Sequence, residues 1–207
     1  MILMRKEKLI VKILDAEWEM FNNTPGIGGR ALCQENRNTF EINRTAQAMS
    51  WSEAALESYL NDLLEAKNNN RNLMAEKYGR MMESTSPEEF TEIKHLLPSL
   101  DPEVPTMVEK IIANVLKWEE DLVSKYPNIV RRGRPLYSTE DNRHITSIET
   151  YLRGELSTYS LNTLNIYYEN ILKQKSEHVN GSEVILEHVI KLYGFKSLQE
   201  ANEKLKP

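Results

Sequence analysis

Apolar residues recur at helical spacing along almost the whole chain, and nowhere do they alternate with polar ones as in a half-buried strand. Ile10, Ile13, Leu14 and Phe21 fall on one stripe, which predicts an amphipathic helix ending near Asn22. The loop NNTPGIGGR (22–30) follows, then a short helix over about Thr39 to Met49. Ser50 with Glu53 three residues on reads as a capping box for the next helix. That helix carries Leu56, Tyr59, Leu60, Leu63 and Leu64 and is broken by Asn68, Asn69 and Asn70. Met74, Tyr78, Met81 and Met82 share a side of the following helix. Ser86-Pro87 then opens a helix that runs through Phe90, Ile93 and Leu97 to Pro98. Beyond it a long helix begins near Pro105, with Val108, Ile111, Ile112, Val115 and Leu122 on one stripe, and stops at Tyr126-Pro127. Further helices begin near Thr146, Ser160, Gly181 and Ser197. The pattern predicts a single all-α domain of about ten helices spanning residues 1–207.

The two halves can be aligned. Ile10, Ile13, Leu14 and Glu17 match Ile112, Val115, Leu116 and Glu119 at an offset of 102 residues. Gly29-Arg30 matches Gly133-Arg134 at 104, and Asn36-Arg37 matches Asn142-Arg143 at 106. Glu41, Leu56, Tyr59, Leu63, Leu64 and Lys67 match Glu149, Leu164, Tyr167, Ile171, Leu172 and Lys175 at 108, and Ser86 matches Ser197 at 111. The offsets only increase, as small loop insertions require. They suggest two five-helix pseudo-repeats, residues 1–98 and 99–207. The competing reading is that amphipathic helices align loosely through their shared period.

Composition narrows the function classes. With 31 acidic and 26 basic residues the formal net charge is −5, which argues against a general nucleic-acid partner. The one dense basic cluster is Arg131, Arg132 and Arg134. No apolar run could span a bilayer, and the N-terminal stretch lacks the features of an export signal, so the expectation is a cytoplasmic protein without a membrane partner. The single cysteine, Cys33, excludes an internal disulfide.

Candidate chemistry rests on charges placed on apolar stripes. Glu17 and Glu119 each interrupt such a stripe, and a carboxylate there must be paired, hydrogen-bonded or protonated. They are candidates for acid–base work; the plain alternative is a structural ion pair with an arginine. Glu41 and Glu149 open the following helices and join them as candidates, with His144 in the loop EDNRH (140–144). Arg30, Arg134 and Arg143 are candidate anion binders, the first two following glycines in loops. Arg44 and Gln47 share a face with Phe40 and Trp51, a mixture that can line a pocket or glue helices together. Glu-x-x-His occurs once, at Glu92 and His95, without a partner in the other half, so no metal is assigned and the cofactor stays unknown.

The stretches ILDAEWEMFNN, GIGGRALCQENRNTFEINR, LESYLNDLLEAK, NLMAEKYGRMMEST and TSIETYLRGELSTYS resemble a family of uncharacterised bacterial proteins grouped as a domain of unknown function. The resemblance covers nearly the whole chain. It implies a bacterial helical protein and brings no activity; in some members the domain follows a nucleotidyltransferase-like domain. Two functions stay open. One is a small-molecule enzyme or binding protein, with a small anionic ligand in a Glu/Arg-lined pocket between the halves. The other is a non-catalytic helical module for a protein partner such as a nucleotidyltransferase, which predicts an exposed apolar patch and no pocket. If the first holds with Glu17 as an active group, Glu17→Gln abolishes binding and spares the fold; loss of folding instead marks Glu17 as structural.

Overall fold

In the computed structural model, residues 2–25 and 32–206 are described, and among them eleven α-helices form the architecture with no strand. The helices are α1 (Ile2–Asn22), α2 (Arg37–Met49), α3 (Glu53–Asn68), α4 (Leu73–Thr85), α5 (Pro87–Ile93) and α6 (Val104–Lys125). The short α7 (Pro127–Val130) leads to α8 (Ile148–Leu156), α9 (Leu161–Ser176), α10 (Gly181–Leu192) and α11 (Leu198–Lys204). None of these helices is long and apolar enough to cross a membrane.

The stripes read from the sequence become the core. Ile10, Ile13 and Phe21 of α1 and Val108, Ile111, Ile112 and Val115 of α6 pack with Leu56, Tyr59 and Leu63 of α3 and Leu164, Tyr167 and Ile171 of α9. Leu64 departs from expectation: it lies on the outer edge of α3 and is 48% exposed, as is its counterpart Leu172 on α9 at 44%. A smaller core joins Leu122 and Tyr126 to Ile190, Leu198 and Ala201.

Local signals set the boundaries. Ser52, not Ser50, caps α3, its hydroxyl accepting from the Ala55 amide. Ser50 instead closes α2, its amide donating to carbonyls of that helix. Ser147, Ser160, Asn180 and Ser197 cap α8 to α11 in the same way, each accepting an amide three residues on. Such caps satisfy backbone donors that the first helical turn leaves unpaired.

The packing repeats across the two halves. In the first, α1 lies on α2, α3 and α4; in the second, α6 lies on α8, α9 and α10. The halves also exchange contacts, α4 packing on α8 and α10 on α2, while α3 and α9 meet at the centre. Ser52 and Ser160 start helices of 16 residues at an offset of 108. At that offset Asn70 and His178 adopt left-handed φ angles of 55° and 56°, the only non-glycine residues described that do so. Two residues further on, Asn72 and Asn180 cap α4 and α10.

The α4–α8 contact depends on a glycine. A Cβ at Gly154 would lie 2.7 Å from Met81 Cγ and 2.9 Å from the Lys77 carbonyl oxygen. On a free helix alanine would gain up to about 1 kcal/mol over glycine. Here the clash with backbone dominates, and Gly154→Ala is expected to cost about 1–3 kcal/mol. A lowered urea midpoint with an unchanged slope would show it.

Candidate functional site

Helices α1, α2, α4 and α8 each send a charged side chain to one buried point. Glu17 on α1 is fully buried, and Arg44 from α2 grips both of its oxygens. Arg44 Nε donates to Glu17 Oε2 at 2.8 Å, and Nη2 donates to Oε1, which also accepts the Tyr59 hydroxyl at 2.7 Å. Arg44 Nη1 reaches across to Glu155 Oε1 on α8 at 2.9 Å and to Gln47 Oε1 at 2.6 Å. Glu155 Oε1 further accepts Gln47 Nε2 at 3.0 Å and the Tyr159 hydroxyl at 2.8 Å, while Oε2 accepts Lys77 Nζ at 2.5 Å. Two carboxylates and two cations therefore neutralise each other inside the protein, with every carboxylate oxygen satisfied.

The electrostatics follow from this count. Burial works to raise the Glu155 pKa, but Arg44 and Lys77 outweigh it and hold the carboxyl well below the usual range. Burial likewise works to lower the Lys77 pKa, and Glu155 overrides it, so the ammonium stays charged. Burial beside carboxylates pushes the Tyr59 and Tyr159 phenols up, so both donate as neutral hydroxyls.

Beside this network lies a cavity of about 740 Å³ walled by α2, α4, α6, α8, α9 and α10. Arg44, Gln47 and Lys77 separate the two: each belongs to the network and faces the cavity. Phe40, Tyr78, Trp118 and Tyr151 supply aromatic wall. Lys77 Nζ lies 3.6 Å from the Tyr151 ring centroid and the Arg134 guanidinium carbon 4.7 Å from it, so one ring faces two cations. Arg134 also donates to the Thr146 carbonyl at 3.0 Å and forms no ion pair with a described residue.

Glu119, on α6, also lines the cavity. Burial pushes its pKa up, opposed by a hydrogen bond with Ser182 at the start of α10. No cation among the described residues pairs with it.

The other expected residues are distributed unevenly. Arg44, Gln47, Glu119 and Arg134 line the cavity; Glu17 does not reach it, being covered by Arg44 and Tyr59. The arginine that holds Glu17 comes from α2, and Arg30 lies outside the described residues with Gly26, Gly28 and Gly29. Glu41 points away from the cavity and pairs with Arg37 at 2.7 Å, because the face of α2 that it occupies is solvated. Glu149 accepts the Ser138 amide at 2.8 Å and pairs with Arg153 at 2.9 Å, bonds that lower its pKa against the effect of burial. Arg143 pairs with Glu89, and His144 is exposed in its loop; neither lines the cavity. The four glutamates therefore do not converge, and among the described residues no group of three or more His, Cys, Asp or Glu could hold a metal. Arg131 and Arg132 both donate to the Leu205 carbonyl at the end of α11.

Lys77 and Glu155 are central to the network, and the stripe test that finds Glu17 applies to them equally. Lys77 lies between Met74 and Met81 at helical spacing, and Glu155 between Leu152 and Tyr159.

These features define an all-helical protein with a neutral buried ion-pair network backing a polar-and-aromatic cavity. A family model described as "Protein of unknown function (DUF4125)" matches residues 7–203, and the chain belongs to that family. No curated protein and no solved structure matches it.

Proposed function

We propose that the protein binds a small organic molecule in the cavity between two pseudo-repeats, residues 1–98 and 99–207, with Glu119 as the acid–base group and Arg134 as the holder of an anionic end. The observation that carries this reading is the carboxyl of Glu119, without a cation partner among the described residues, in a cavity of about 740 Å³, a size typical of small-molecule sites. A partly buried carboxyl with a raised pKa is better suited to holding and passing on a proton than a solvated one. The matching caps and left-handed positions at one constant offset support the duplication. The rival role as a docking module for a protein partner calls for a surface patch and makes no use of a cavity, so the cavity counts against it.

The proposal has a stability signature. A carboxyl whose pKa is raised on folding destabilises the native state once pH exceeds its unfolded-state value near 4, and the penalty grows until the folded-state value is passed. Glu119→Gln is therefore expected to melt higher than the wild type at about pH 7 and equally at about pH 3, while losing ligand binding. Thermal melts at the two pH values, with calorimetric titration of hits from a library of small acids, amines and amino acids, test it. A variant that is destabilised at neutral pH, or a library without any binder, refutes the reading.

A further inference from the structure

Comparing the halves residue by residue identifies what the cavity lacks. In the first half Glu17 receives a guanidinium from α2 and a phenol from α3, those of Arg44 and Tyr59. The offset of 108 that carries α3 onto α9 carries Tyr59 onto Tyr167 and Arg44 onto Leu152. Tyr167 and Leu152 both line the cavity with Glu119, the counterpart of Glu17. The second half thus keeps the carboxyl and the phenol but has leucine in place of the arginine.

The charges on the wall give the same answer. Among the described residues, four charged ones line the cavity: Arg44, Lys77, Glu119 and Arg134. Arg44 and Lys77 are matched by Glu17 and Glu155 behind them. Glu119 and Arg134 remain, one of each sign, ion-paired neither with each other nor with another described residue. They belong to different walls, Glu119 beside Ser182 of α10 and Arg134 beside Tyr151 of α8.

We infer that the ligand is a zwitterion with an aromatic body, an amino acid or short peptide. Its ammonium occupies, on Glu119, the place that a guanidinium fills in the first half. Its carboxylate lies on Arg134, and its ring packs among Phe40, Tyr78 and Trp118. A single charge of either sign would leave one wall group uncompensated, whereas a zwitterion neutralises both. This inference rests on the cavity being a ligand site.

The test is calorimetric titration of the full chain at about pH 7. The probes are tryptophan, the dipeptides Trp-Gly and Gly-Trp, and the singly charged analogues tryptamine and indole-3-propionate. At least one zwitterion is expected to bind on the order of thirtyfold or more tighter than both analogues, the loss typical of removing one partner of a buried charge pair. The free amino acid and the dipeptides separate the two sources of that chemistry. Glu119→Gln is expected to erase the advantage over indole-3-propionate, and Arg134→Gln the advantage over tryptamine. Leu152→Arg, which restores the arginine of the first half, is expected to abolish the ammonium's contribution, while Leu152→Met retains it. Equal binding of zwitterion and single-charge analogue overturns the inference, as does undiminished zwitterion binding by Leu152→Arg. If no zwitterion binds but another small molecule does, this inference fails and the cavity remains a ligand site; if nothing in the library binds, both fail.

Discussion

Arg44→Met is expected to destabilise the protein by about 3–5 kcal/mol, the usual result of removing one partner from a buried ion pair. The guanidinium bridges Glu17 and Glu155, donating to both from a position that is only 9% exposed. Methionine fills much of the volume but leaves two buried carboxylates facing one ammonium, that of Lys77. A domain of this kind is stable by only about 5–15 kcal/mol in total, so the loss is a large fraction of the whole. Urea denaturation followed by circular dichroism measures it. The double variant Arg44→Met, Glu17→Leu removes one charge of each sign and is expected to lose less than the two single variants together, by about 1–3 kcal/mol of coupling. Strict additivity would mean that the two side chains do not act as a pair.

Glu155→Gln is expected to be comparably harmful at neutral pH and to change how the protein responds to acid. Arg44 and Lys77 hold the Glu155 carboxyl below its ordinary range against the opposing effect of burial. Its folded-state pKa thus lies below the unfolded value of about 4.3, and the stability it contributes is complete above that value. That contribution drains away as pH falls through the folded-state pKa. The wild type should therefore lose stability steeply on acidification, whereas Glu155→Gln starts about 3–5 kcal/mol lower and declines less. The two curves should converge at low pH, where the carboxyl is as neutral as the amide. Parallel curves from about pH 7 to about pH 2 would remove Glu155 from the charged network.

Neither variant alters a residue proposed to touch ligand through its own free charge, and that separates them from Glu119→Gln. The network sets the cavity wall: Glu155 fixes Arg44, Gln47 and Lys77, which face the cavity from behind. Tyr59 and Tyr159, 4.6 Å apart between ring centroids, join the network's carboxylates to the core. A wall so neutralised presents hydrogen-bonding and apolar surface rather than net charge, and leaves Glu119 and Arg134 to decide what charge is taken up.

Helical period alone was enough to place the described α-helices other than the one-turn α7, because each of them buries one stripe and the stripe is written in the order of residues. It also placed Glu17 inside, since a carboxylate between Ile13 and Phe21 has no route to solvent once that stripe packs. The same rule covers Lys77 and Glu155, which lie on equally apolar faces. What spacing cannot contain is the partner. Arg44 and Glu155 are 111 residues apart, and their meeting depends on α4 crossing to α8 while α1 and α2 close over them. Nor could spacing divide the glutamates. Glu149 opens α8 as expected, whereas Glu41 lies a turn inside α2; the first closes a local turn at Ser138 and the second pairs in solvent with Arg37. Order along the chain determines which face of each helix is apolar; the crossing of helices far apart in sequence decides which of the charges on those faces is compensated.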